Sequence, residues 1–123
     1  MRRTFILSVT TLVLLAACAG DDSSGPSPSG GPGRGKAIAQ SSGCVSCHGG
    51  SFQGGVGPSW VGLADSEVEL ADGSTVIADD EYLFEAIRDP SAKVVAGFSG
   101  MPPNSLSDEE IREVVAFIRS LAD

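Results

Sequence analysis

The sequence predicts a small all-α domain interrupted by one β-hairpin, and three stretches carry that prediction. Ser107 to Ala122 places Ile111, Val114, Val115, Ile118 and Leu121 at the i, i+3, i+4, i+7 spacing of a one-sided helix. Asp79 or Asp80 to about Arg88 repeats the pattern in shorter form, with Leu83, Phe84 and Ile87 on one face. Between them and the N-terminus, Glu67-Val68-Glu69-Leu70 and Ser74-Thr75-Val76-Ile77 alternate with period two around Ala71-Asp72-Gly73, the pattern of a hairpin. A chain of 123 residues has room for one such domain once a leader and a linker are set aside.

The first 17 residues read as that leader. Arg2 and Arg3 precede an apolar run through Phe5, Ile6, Leu7, Leu12, Val13, Leu14 and Leu15. The run is shorter than the roughly twenty apolar residues of a spanning helix. It ends in Leu15-Ala16-Ala17-Cys18, which resembles a bacterial lipobox. That resemblance implies that Cys18 is lipidated and becomes the first mature residue, so the protein is expected to be exported and lipid-anchored to the extracytoplasmic, periplasm-facing side of a membrane. From Cys18 to Arg34 the chain is Gly, Ser, Pro and Asp with almost nothing apolar, a composition that tethers and cannot pack a core. Such a tether typically spans roughly 20–25 Å.

The folded domain is expected over residues 35–123, about ninety residues, small for a self-sufficient core. Gly35 to Ser42 reads as a short helix with a thin apolar face of Ala37, Ile38 and Ala39, stopped at Gly43. Cys44-Val45-Ser46-Cys47-His48 follows. Two thiols separated by two residues in a tight turn can reach both vinyl groups of a haem and form thioethers. The next residue then falls under the ring, where an imidazole nitrogen can ligate iron. His48 is the only histidine in the chain. The alternatives are a plain disulfide, a redox pair, which needs a βαβ context, or a zinc site, which needs two further ligands.

After a glycine-rich loop from Gly49 to Gly57 comes Pro58, whose carbonyl is a candidate acceptor for the second ring N–H of His48; a plain turn proline is the other reading. Trp60 is expected to pack against the cofactor's edge. Two strands alone are marginal in water, so the hairpin should lean on the helical body as an insertion. Asp89-Pro90 ends the helix begun at Asp79 or Asp80. Ser107 and Glu110 form a capping box for the last helix, with Asp108 and Glu109 in its first turn. Met101 lies in Gly100-Met101-Pro102-Pro103, where prolines stiffen a loop between two helices. It is the candidate sixth ligand, a thioether that raises the reduction potential and closes the iron to other ligands. A gap-filling methionine is the alternative reading, and Lys93 is a weaker rival ligand.

Taken together, the Cys44–His48 motif, Gly57-Pro58, Met101-Pro102-Pro103 and the terminal helix resemble class I monohaem cytochromes c. More narrowly, Gly57 to Leu63, Leu70 to Val76, Ile87 to Pro90 and Val95 to Phe98 are similar to the cytochrome domain fused to subunit II of some bacterial haem–copper oxidases. The resemblance implies a fold of three to four helices around one covalent haem c, with Cys44 and Cys47 as thioether donors and His48 and Met101 as axial ligands. These 123 residues include no counterpart of that subunit's membrane helices or copper-binding domain, so a free-standing relative is expected. The last helix is expected to pack against the first, but Ala39 stands where the family carries an aromatic, which leaves open how the first helix meets Phe117.

Setting aside Arg2 and Arg3 of the leader, 6 basic residues face 16 acidic ones, a balance of −10. That argues against nucleic acid and against adhesion to anionic lipid. The expected function is a monomeric electron carrier with no catalytic residue, taking electrons from a quinol-oxidising complex or a dehydrogenase and passing them to a terminal oxidase. The rivals are a haem enzyme or gas sensor with a labile sixth ligand, and a fixed electron-entry subunit of an oxidase or dehydrogenase complex.

Overall fold

The computed structural model describes residues 30–122; the leader, Cys18 and most of the polar stretch behind it lie outside the described residues. Four helices and one small antiparallel sheet follow in the order α1 (Pro32–Ser41), α2 (Val45–His48), β1 (Glu67–Glu69), β2 (Thr75–Ile77), α3 (Asp80–Arg88) and α4 (Asp108–Arg119). The four helices and the small hairpin sheet fit the expected small fold of three to four helices with a β-hairpin insertion. No described helix is long and apolar enough to cross a membrane.

The last helix forms as its sequence dictates. The Ser107 side chain accepts the Glu110 N–H while the Glu110 carboxylate accepts from the Ser107 N–H at 2.8 Å, completing the capping box. Ile111, Val114, Val115 and Ile118 are buried along one face, each contributing roughly 1.5–3 kcal/mol. Leu121, assigned to the same stripe, falls in the turn beyond the helix and is only half-buried; Phe117 is buried in its stead.

The first helix begins at Pro32, three residues before the expected start at Gly35 and inside the stretch read as tether. Proline suits this first helical position because its missing N–H is one the helix could not bond anyway. Its buried residues are Gly35 and Ala39, so the thin apolar face contracts to two small residues. A Cβ on Gly35 would come within 1.9 Å of the Glu113 carbonyl oxygen and 2.8 Å of Phe117 Cβ. The two helices thus pack backbone to backbone where larger residues would hold them apart. With Ala39 in α1 the first helix still packs against Phe117, whose ring meets Phe52 edge-on.

In α3, Asp79 caps the start by accepting the Tyr82 N–H at 2.8 Å, and Asp89-Pro90 closes the end. Leu83 is buried as expected, together with Tyr82, but Phe84 and Ile87 are only half-buried. Phe84 lies under the Arg112 guanidinium, 5.2 Å from its ring centre, and Ile87 lines a cavity. The hairpin pairs Glu67 with Ile77, Val68 with Val76 and Glu69 with Thr75. At its tip Asp72 Oδ1 accepts from the Ser74 N–H at 2.9 Å. Arg119 spans Asp65 and Asp80, tying α4 to the start of α3 and to the segment before the hairpin.

Candidate functional site

The short helix α2 is one turn of chain carrying three reactive side chains. The Cys44 carbonyl accepts the Cys47 N–H at 3.2 Å and the His48 N–H at 3.0 Å. Cys44, Cys47 and His48 are therefore three and four residues apart on one side of that turn. The turn is anchored to the preceding helix by the Cys44 N–H, which donates to the Ala39 carbonyl at 3.0 Å. Both thiols are free, and among the described residues no three His, Cys, Asp or Glu side chains are grouped to hold a metal ion.

His48 is buried, 7 % exposed, and its Nδ1 lies 2.7 Å from the Pro58 carbonyl oxygen. A carbonyl can only accept, so the ring proton sits on Nδ1 and the lone pair of Nε2 is left available. Burial pushes the imidazole's pKa down, opposed by the bond to Pro58, so the neutral ring is favoured. The open question at Pro58 resolves in favour of the acceptor. Gly57 explains how the loop comes so close: a Cβ there would stand 2.9 Å from His48 Cε1. The Gly57 N–H donates to the Cys47 carbonyl and the Gly54 N–H to the His48 carbonyl, folding the loop back onto α2.

Behind the imidazole stands a wall of rings. Trp60 lies 4.9 Å from His48 between ring centres, and Phe52 stacks on Trp60 at 4.8 Å and 15°. Phe117 meets Phe52 edge-on at 4.9 Å. Phe52 sits in the stretch read as a plain loop, yet it is 2 % exposed and holds a left-handed backbone at φ 59°. Its one sequence signal is a lone aromatic in a run of glycines. Trp60 packs against His48 and also lines the cavity.

Two adjoining cavities open in front of this wall, of about 430 and 120 Å³. Together they fall within the roughly 300–1,000 Å³ of small-molecule sites. Cys47, His48 and Met101 line both, and Cys44 lines the smaller one. The structure thus brings every sequence-predicted site residue among those described to one largely apolar slot. Burial raises the Cys44 thiol pKa, with the nearby Cys47 adding to the effect and a backbone hydrogen bond opposing it. Lys93 also borders the larger cavity, but its ammonium is bonded to Glu85, which raises its pKa and holds the proton on; an ammonium has no lone pair to offer.

The loop that carries Met101 is pinned by a residue with no obvious sequence signal. Asn104 Nδ2 donates to the Ile87 carbonyl at 2.7 Å, while its Oδ1 accepts the Leu106 N–H at 3.1 Å. This joins the Met-Pro-Pro loop to the end of α3.

A slot with two thiols at its border, a neutral imidazole offering Nε2, a thioether on its wall and an apolar lining fits a flat, mostly apolar macrocycle that holds iron. Residues 33–122 match the family model described as Cytochrome c. None of the curated proteins compared with the chain matches it.

Proposed function

The chain belongs to the cytochrome c family, whose members bind haem c covalently and transfer electrons, and from that premise we propose a membrane-tethered monohaem carrier of single electrons. Cys44 and Cys47 would hold the haem through thioethers, and His48 and Met101 would ligate its iron. Bound haem supplies a one-electron couple; the chain's own residues set its surroundings. Pro58 fixes the imidazole tautomer, so Nε2 is the nitrogen presented to the cavity. Trp60, backed by Phe52, packs against the ring and opposes its rotation. Apolar Leu83, Ile87 and Val95 keep water from the slot, which limits how much the surroundings must rearrange when the charge changes. With His48 and Met101 both on the iron no position would be open to a substrate, which supports a carrier over a haem enzyme. The observation that carries it is the Nε2 of His48, both thiols and Met101 on the walls of one cavity pair.

The remaining parts of the reading rest on sequence. Leu15-Ala16-Ala17-Cys18 and the polar stretch behind it support a lipid anchor with a swinging domain on the extracytoplasmic face. Similarity to the cytochrome domain of oxidase subunit II supports a terminal oxidase as acceptor, with a quinol-oxidising complex or dehydrogenase as donor. The acidic balance supports docking on a basic partner surface, and Arg88, Lys93 and Arg119 are already engaged by carboxylates of this chain.

The test is the protein expressed with haem-attachment machinery. The expected product carries one haem that survives acidified acetone, is lost when Cys44 and Cys47 are both replaced by Ser, and shows in its ferric form the near-infrared charge-transfer band of thioether ligation. A colourless product, or pigment retained in that double variant after acid extraction, overturns the covalent assignment.

A further inference from the structure

The β-hairpin has no part in the reading above, yet it is bonded to the segment that leads into Met101. The Glu69 carbonyl accepts the Ala96 N–H at 2.9 Å, and the Ala71 N–H donates to the Val94 carbonyl at 2.8 Å. These two bonds flank an antiparallel bridge between Leu70 and Val95. Residues 94–96 therefore act as a third short strand beside β1, on the edge that β2 leaves open. A two-stranded hairpin is marginal by itself, so each side of this junction orders the other. Leu70 drives its side chain into the core, which fixes the junction to the body of the domain.

From Gly97 to Ser107 the chain has no regular structure, so it owes its position to its two ends. At the far end Asn104 is tied to α3. At the near end Gly100 runs beside Val94, whose Cγ2 lies 3.8 Å from where a Cβ on that glycine would stand. Met101 is the next residue. Val68, Glu69, Val94 and Val95 all border the larger cavity, so hairpin and loop form one continuous wall facing His48.

We propose that the hairpin is a strut for the Met101 loop, and that Leu70, with the backbone of Glu69 and Ala71, is a positioning residue for the thioether. The proposal rests on the reading of Met101 as an iron ligand. The hairpin sets how often Met101 leaves the cavity wall, while haem attachment at α2 is independent of it. Removing the strut exposes the sixth position to outside ligands more often, through local opening and without global unfolding.

The test compares cyanide binding to the ferric holoprotein in four variants. Leu70→Ala empties the buried anchor. Ala71→Pro removes the N–H that reaches Val94 and leaves every core side chain in place. Val115→Ala lightens the core on α4, away from both cavities, and serves as the stability-matched control. Met101→Ala reports on the ligand reading itself. Cyanide is expected to bind about tenfold faster or more to L70A and A71P than to the unaltered protein. V115A, matched to them by denaturant midpoint, is expected to stay within about twofold. Equal rates in V115A, L70A and A71P overturn the strut. A charge-transfer band that persists in M101A overturns the ligand reading and the strut with it. A band lost in M101A with unaltered rates in L70A and A71P overturns the strut alone.

Discussion

The two walls of the slot are built on opposite plans. The His48 wall is local: residues 44–60 close on themselves through the α2 turn, the Gly57 and Gly54 returns and the Pro58 carbonyl, and three aromatic rings back them. The Met101 wall is assembled from afar. Its loop is held at one end by a strand some 25 residues upstream and at the other by one side chain reaching α3. A wall closed by short loops loses little chain entropy on ordering, whereas one closed by distant contacts depends on each of them. The histidine side is therefore the fixed jaw and the methionine side the one that yields first. On the proposed ligation this division would suit an electron carrier: the grip at Cys44, Cys47 and His48 would stay rigid while the thioether is held by contacts that can be tuned separately.

The largest expected effect attacks the fixed jaw. In Gly57→Ala the new methyl would meet His48 Cε1 at 2.9 Å, and the ring cannot retreat because Trp60 stands behind it. Overpacking of this kind costs about 1–3 kcal/mol, read as a lower denaturant midpoint of the holoprotein with an unchanged slope. A cost within about 0.5 kcal/mol, the range of a neutral surface change, would show that the histidine side adapts and would erase the contrast between the walls.

This asymmetry also decides what could be read from residues alone. The Cys44–His48 motif, the Ser107/Glu110 capping box and the Asp72-Gly73 turn are local patterns, and each takes the form its spacing dictates. The stripe of α4 was legible as far as Ile118 because four apolar residues repeat; it failed at Leu121, where the helix had already ended. Packing of α4 on the first helix was expected and is found, but the residues that make the contact were obscured by their chemistry. A helix that packs through Gly35 and Ala39 looks faceless to any hydrophobicity pattern, because its packing depends on missing side chains. Phe52 gave no period to detect, being a single ring among glycines. The pairing of residues 94–96 with the hairpin tip is invisible for a further reason. Backbone bonds join Glu69 to Ala96 and Ala71 to Val94, and backbone carries no residue identity. His48 and Met101 could be named from sequence; what holds Met101 could not.

A smaller effect sharpens the other half of the comparison. Asn104→Ala removes the donor to Ile87 and the acceptor of the Leu106 N–H, both at an exposed site. The net loss should be about 0.5–1.5 kcal/mol, and it should be local. Hydrogen exchange is expected to quicken over residues 97–106 and to remain unchanged over residues 45–57 of the histidine side. Equal acceleration on both walls would mean that the slot opens as one unit.

The smallest effect separates the helical frame from both walls by its response to acid. Glu110 is held below the ordinary carboxylate range by the Ser107 N–H and hydroxyl, the backbone bond being the larger cause. A carboxylate whose folded pKa is depressed stabilises the fold above its unfolded value. That contribution fades as pH falls from about 4.3, the ordinary glutamate value, through the lower folded one. The Glu110→Gln side chain keeps an oxygen to accept from Ser107 but has no proton to gain, so this part of the acid dependence should vanish. Helicity followed by circular dichroism during acid titration should fall less steeply in E110Q below about pH 4.3. The near-infrared band at neutral pH should be unaltered, because the capping box touches neither cavity wall. If the band weakened in E110Q at neutral pH, the start of α4 would have to be counted among the supports of Met101, and the loop would no longer hang from the hairpin and Asn104 alone.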